Sequence, residues 1–211
     1  MADRIRSLGA LIRAWWDRAC GRLTPTPCPY SFSWILNSPA RAWRAGPTRI
    51  LAAFEFKPGE RVLEVGPGIG YYSVEASRQV GATGQLICLD IQRDMLQTLQ
   101  RHLREAGATS LNLLQGDACR LPLKPRSLDH VFLITVLGEL PDRPGALWEI
   151  RRVLKREGRL SISEQFPDPD FITLGALRRE LSQAGFVEER SHGRLAYTST
   201  WRVGSVAIDS L

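Results

Sequence analysis

From Arg61 to Val203 the chain alternates between two hydrophobic rhythms. Short apolar runs at Arg61–Val65, Gln85–Leu89, Leu111–Gln115, Leu128–Thr135 and Arg159–Ser163 have the length and composition of buried strands. Between them, Tyr71–Val80, Arg93–Ala106, Ala146–Leu154 and Leu174–Ala184 repeat apolar residues at three- and four-residue steps. Met95, Leu96, Leu99 and Leu103 make the clearest such stripe. Gly185 supplies a left-handed stop after the last of these helices. Phe186–Ser191 and Ala196–Val203 follow without an intervening helix and read as an antiparallel pair at a sheet edge. Strand alternating with helix predicts a parallel sheet with helices on both faces.

The first quarter of the chain has a different pattern. Ile5, Leu8, Ile12, Trp15, Trp16 and Ala19 trace one face of a helix over residues 4–22, with Arg6, Arg13 and Asp17 opposite. Three alternating prolines in residues 24–30 predict an extended connector. Ser38-Pro39 reads as a helix start, and Pro47 opens a short helix carrying Ile50, Leu51 and Phe54. The expected division is a basic, Trp-rich helical extension over residues 1–56 and an α/β domain over residues 57–211.

Charge sharpens that division. Residues 1–49 hold eight arginines against Asp3 and Asp17, a net +6, whereas residues 50–211 hold 20 basic and 20 acidic side chains. Four of the six tryptophans lie in the same first quarter. No apolar run reaches the roughly 20 residues of a membrane span. The start of the chain has no secretory pattern. Four cysteines and three histidines show no metal-ligand spacing, so reduced thiols in a cytosolic protein are expected and no metal is.

The candidate chemistry begins at Val62–Ser73, "VLEVGPGIGYYS", where an apolar run halts at glycines 66, 68 and 70 and a helix follows. Glycine lets a backbone approach a ligand closely, and the carboxyl end of the first strand is where doubly wound sheets bind one. A dinucleotide fingerprint wants glycines at offsets one, three and six, and here Tyr71 or Ser73 stands in the third place. A phosphate loop wants Gly-Lys-Ser/Thr, and no lysine lies between Lys57 and Lys124. The loop therefore suits a nucleoside with a non-phosphate tail. Asp90 ends the second strand about twenty residues on, where an acid accepts hydrogen bonds from ribose hydroxyls. "GDACRLPL" (116–123) after the third strand can present a carboxylate and a backbone N–H to an adenine edge.

These residues, taken as a set, resemble the class I S-adenosylmethionine-dependent methyltransferases, in particular the small ubiquinone/menaquinone-methyltransferase-like group. "VLEVGPGIG", "LICLDI", "GDACRLPL", "LDHVFLITVLGELPD" and "RRVLKREGRLSISE" are similar to successive motifs of that family, over residues 50 to about 203. The resemblance implies a mostly parallel seven-stranded doubly wound sheet (a Rossmann-like fold), an S-adenosyl-L-methionine cosubstrate and methyltransferase activity. It implies that Glu64, Gly66, Gly68 and Gly70 line the methionine end, that Asp90 takes the ribose with Ile91 among the contacts, that Asp117 and Ala118 meet the adenine, and that Thr135 offers backbone contacts beside the sulfonium.

Methyl transfer needs alignment and exclusion of water, and a base only if the acceptor loses a proton. Glu139 and Glu164, at strand exits, are the candidate catalytic carboxylates: together they can hold a cationic amine, or one can deprotonate a hydroxyl. The bland alternative has Glu139 capping the next segment and Glu164 paired with arginine. Tyr30, Tyr71 and Tyr72 are candidates for the pocket wall. The Asn/Asp-Pro-Pro-aromatic run of enzymes that methylate base amino groups is absent at Thr135–Gly138, which argues against nucleic acid despite the basic pI. The helix over residues 1–22 supports two readings, an interfacial helix on a membrane surface or a helix docked on its own domain. The acceptor expected is a small molecule, lipophilic if the arm meets membrane. The competing functions are a non-catalytic membrane-surface protein with a methyltransferase-like core, and a nicotinamide oxidoreductase.

Overall fold

The computed structural model describes residues 46–108, 111–166 and 168–204. The helix expected over residues 4–22, the connector over 24–30, Tyr30 and the helix after Ser38 lie outside the described residues, as does any membrane contact through residues 1–22. In chain order the elements are α1 (Pro47–Ala52), β1 (Arg61–Val65), α2 (Ser73–Val80), β2 (Gln85–Asp90), α3 (Arg93–Glu105), β3 (Leu111–Gln115), β4 (Leu128–Ile134), α4 (Arg143–Val153), β5 (Leu154–Gln165), α5 (Leu174–Gln183), β6 (Phe186–Gly193) and β7 (Ala196–Val203). The strands form one sheet in the order β3-β2-β1-β4-β5-β7-β6. Strands β1 to β5 pair in parallel, and β7 runs antiparallel to both β5 and β6. Successive strands leave β1 in opposite directions on either side of the β1–β4 pair, which opens a crevice at their carboxyl ends.

Both sheet faces are sealed by apolar side chains. On one, Leu63, Val131, Leu160, Ile162, Tyr197 and Trp201 pack with Leu147 and Ile150 of α4 and Leu177 and Leu181 of α5. On the other, Val62, Leu86, Phe132 and Ile134 pack with Ala76 and Val80 of α2, Leu99 and Leu103 of α3, and Phe54 and Phe56 beyond α1. Phe54 is fully buried, and burial of such a ring stabilises the fold by about 2 kcal/mol or more. The end of the chain's first quarter is thereby fastened to the sheet, reinforced by Arg190 Nη1 donating to Glu55 Oε2 at 2.8 Å.

Several boundaries differ from the sequence pattern, three of them for a clear local reason. Helix α2 begins at Ser73 rather than Tyr71, because Gly70 at φ +91° closes a turn by donating its N–H to Pro67 O at 3.0 Å. Helix α4 begins at Arg143, not Ala146. Asp142 caps it by accepting from Gly145 N at 2.9 Å, and Pro144 sits in the first turn, where its missing N–H costs nothing. Strand β5 spans twelve residues instead of five: at its start Leu154 pairs with Leu128 of β4, and at its end the pairing with β7 runs on to Gln165↔Ala196.

Candidate functional site

The crevice at the carboxyl ends of β1, β2, β3 and β4 encloses about 970 Å³ including its open mouth. Its first wall is the glycine loop. Gly66 and Gly68 adopt φ of +68° and +56°, values that disfavour any side chain. A Cβ on Gly66 would also approach Val136 Cγ2 to 2.6 Å, so a side chain there would displace Val136 as well as strain the backbone. Helix α3 steadies the loop from behind, where His102 Nδ1 donates to Ile69 O at 2.8 Å.

Asp90, at the end of β2, organises the crevice. It is 7% exposed, its Oδ2 accepts from Gly68 N at 3.3 Å and its Oδ1 from Gln92 N at 2.8 Å. It therefore couples the glycine loop to the start of α3. Burial raises its pKa above the usual aspartate value, against those backbone donors. Beneath the loop Glu64 is 3% exposed, its Oε2 accepting from Ser73 Oγ at 2.6 Å. Burial, with a smaller contribution from Asp90, raises Glu64 to about 7.

The loop after β3 brings Asp117 and Ala118 to the crevice. Asp117 Oδ1 accepts from Cys119 N at 2.8 Å, which turns the chain inward. A buried tie holds this loop down: Glu149 Oε2 accepts from Leu121 N at 2.7 Å, while Arg152 donates to Leu121 O at 2.9 Å and Leu123 O at 3.0 Å. The fourth wall, after β4, contains Thr135 at φ +54°, a strained conformation for a β-branched residue. Its N–H donates to Ser163 O at 2.8 Å, which anchors it to β5.

Of the residues singled out in the sequence, Glu64, Gly66, Gly68, Asp90, Ile91, Asp117, Ala118, Thr135 and Glu139 line this one crevice, as do Tyr71 and Tyr72. Two do not. Gly70 faces away from it, and a Cβ there would run into Leu99 of α3, so its role is helix packing. Glu164 lies inside β5 rather than beyond it. Its side chain follows the phase of Leu160 and Ile162 onto the α5 face and is 1% exposed. Burial, together with Asp168, Glu139 and Asp170, raises its pKa well above the usual glutamate value. Met95, Val136 and Leu140 also line the crevice. The apolar stripe of α3 identified Met95 as buried, but nothing in it distinguishes a core position from a crevice wall.

Electrostatics defines what the crevice can hold. Glu64, Asp90, Asp117 and Glu139 line it, and no Lys, Arg or His does so among the described residues. Such a wall repels phosphate and attracts cations and hydroxyl donors. It fits an adenosyl-sulfonium molecule: bare backbone at Gly66 and Gly68, a carboxylate for sugar hydroxyls at Asp90, and net negative charge for a sulfonium and an ammonium. Among the described residues no cluster of three His, Cys, Asp or Glu could hold a metal ion.

Residues 63–162 match the family model described as "Methyltransferase domain". Among curated relatives, the ubiquinone/menaquinone biosynthesis C-methyltransferase of Haemophilus ducreyi is 35% identical over 122 residues, 57% of this chain and 47% of that protein. The demethylmenaquinone methyltransferase of Oceanobacillus iheyensis is 31% identical over 120 residues, 57% of this chain and 49% of that one. The chain thus spans about half the length of the curated relatives it matches. The crystal structure of a SAM-dependent methyltransferase from Aquifex aeolicus superimposes with a TM-score of 0.78 at 24% identity, over 83% of this chain and 99% of that one, a likeness of fold.

Proposed function

We propose that this chain, which carries a class I S-adenosylmethionine-dependent methyltransferase domain, transfers a methyl group from S-adenosyl-L-methionine to a small, lipophilic, quinone-like acceptor. The observation that carries the reading is the charge of the crevice: four carboxylates, a glycine-lined backbone and no basic side chain among the described residues. A pyrophosphate cofactor would be repelled there, which counts against a nicotinamide oxidoreductase.

Bound in this crevice, the cosubstrate supplies an activated methyl group on a good leaving group. The protein's own part is placement and dryness. Asp90 orients the sugar, the Asp117–Ala118 turn receives the purine edge, and Ile91 and Met95 give it apolar contact. Glu64 offers compensation to the ammonium end. Tyr71, Tyr72 and Leu140 shield the methyl from water, and a dry, aligned geometry is the main source of acceleration for such a displacement. Glu139, in the 3-10 turn Leu137–Glu139, is the carboxylate positioned to accept an acceptor proton when one is released. Support for an apolar acceptor comes from the names of the relatives and from Phe166 and Leu195, 47% and 66% exposed at the same end of the sheet.

Methyl-labelling tests the reading. Labelled S-adenosylmethionine is supplied to a cell extract with the full chain, and label is counted in lipid, small-molecule and macromolecular fractions. Label in the lipid or quinone fraction that disappears with Asp90→Ala supports the proposal, and label confined to protein or nucleic acid overturns it.

A further inference from the structure

A second cavity opens beside the crevice, one strand away. It has about 770 Å³ of space including its mouth, and Arg49 and Ile50 of α1, Ser163 and Gln165 of β5, Thr198 of β7 and His192 of β6 stand around it. The sheet register makes this a row rather than a scatter. Ser163 pairs with Thr198, and Thr198 pairs with His192, so two hydroxyls and an imidazole stand abreast on three neighbouring strands. The same row continues into the crevice, because Ser163 pairs with Ile134, a crevice wall residue. Adjacent strands lie roughly 5 Å apart, so a guest on this row reaches the crevice without leaving the sheet end.

The cavity's polar lining is largely unpartnered among the described residues, Tyr197, whose hydroxyl donates to Ile172 O at 2.7 Å, being the exception. Arg49, Ser163, Gln165, His192 and Thr198 make no side-chain hydrogen bond or ion pair among the described residues. One register step away the same sheet face is saturated: Ser161 Oγ contacts both His130 Nε2 at 2.8 Å and Thr200 Oγ1 at 3.0 Å. The charge is the reverse of the crevice's, for among the described residues no Asp or Glu lines this cavity and Arg49 does.

We infer that this cavity seats the acceptor's oxygen-bearing head group, as an enolate, phenolate or carboxylate. Arg49 faces the negative oxygen and the Ser163–Thr198–His192 row orients it by hydrogen bonds, while Ile50 and Ala53 meet its apolar part. The inference deepens the methyl-transfer reading and rests on it only for the guest's role as acceptor. It runs against an amine acceptor, which would meet Arg49 at close range.

Two probes separate the cases, 2-hydroxy-1,4-naphthoquinone, an anion at neutral pH, and the cationic 1-naphthylmethylamine. Each is titrated calorimetrically into the full chain, with and without S-adenosylhomocysteine. The hydroxyquinone should bind, and Arg49→Gln should weaken it at least about tenfold, with Thr198→Val weakening it severalfold. Unchanged thermal melts and unchanged S-adenosylhomocysteine affinity report that both variants keep the fold and the crevice. The inference is overturned if the hydroxyquinone does not bind, binds equally to both variants, or is outcompeted by the amine. If S-adenosylhomocysteine gives no heat while hydroxyquinone binding still depends on Arg49, the methyl-transfer reading fails and the anion site stands.

Discussion

Replacing Glu64 by glutamine gives a quantitative test of the crevice floor. Glu64 is 3% exposed and raised from 4.5 to about 7, chiefly by burial. A carboxyl whose folded pKa lies above its unfolded one binds more protons in the native state between those two values. Stability therefore falls as pH rises through that window, by about 1.4 kcal/mol for each pH unit crossed. Crossing from 4.5 to about 7 corresponds to a loss of about 3 kcal/mol, complete once the pH exceeds the upper value. A glutamine side chain cannot ionise and retains an oxygen for the Ser73 hydroxyl, so the Glu64→Gln variant escapes that loss. Urea melts of both proteins from about pH 4.5 to about pH 9 provide the assay. The variant's stability relative to the native chain should climb by about 3 kcal/mol across that range, whatever constant offset the substitution introduces. Asp90 and Glu164 titrate in both proteins and largely cancel in the difference. A difference that is flat or declines with pH would refute a buried, destabilised carboxylate at Glu64.

Three further outcomes follow from the geometry. Asp90→Asn should weaken S-adenosylhomocysteine binding at least about tenfold by calorimetry, since it removes a charged acceptor from the sugar, while leaving the thermal melt as high or higher. Gly70→Ala should cost about 2–4 kcal/mol in denaturant melts, because a Cβ at φ +91° would also enter Leu99. Arg152→Ala should cost about 2–3 kcal/mol, for it strands two loop carbonyls and Glu149, and it should weaken nucleoside binding through the loosened loop at residues 116–123.

Much of this site was legible because its parts sit at the carboxyl ends of strands. The glycine loop, Asp90 and the Asp117–Ala118 turn each follow a short apolar run, and the run's end fixes the position of the next residue in space. Gly70 misled because motif spacing does not say which side of a loop a glycine faces, and the deciding contact, Leu99, is supplied by a different helix, α3. Glu164 misled because the apolar pattern ends β5 at Ser163. Only its pairing with β7 carries the strand to Gln165, which turns Glu164 toward α5. The row Ser163–Thr198–His192 was invisible for a related reason: the order β5-β7-β6 is set by tertiary pairing, and no local pattern announces it. Pro144-Gly145 hid the first turn of α4, where a proline is harmless and Asp142 supplies the cap.

The central claim is that an anionic, glycine-floored crevice receives an adenosyl-sulfonium molecule and not a dinucleotide. Parallel calorimetric titrations of the full chain with S-adenosylmethionine and with NAD test it most directly. One-to-one binding of S-adenosylmethionine, lost with Asp90→Ala, and no heat with NAD are the predicted results. Saturable NAD binding with S-adenosylmethionine silent would contradict the account.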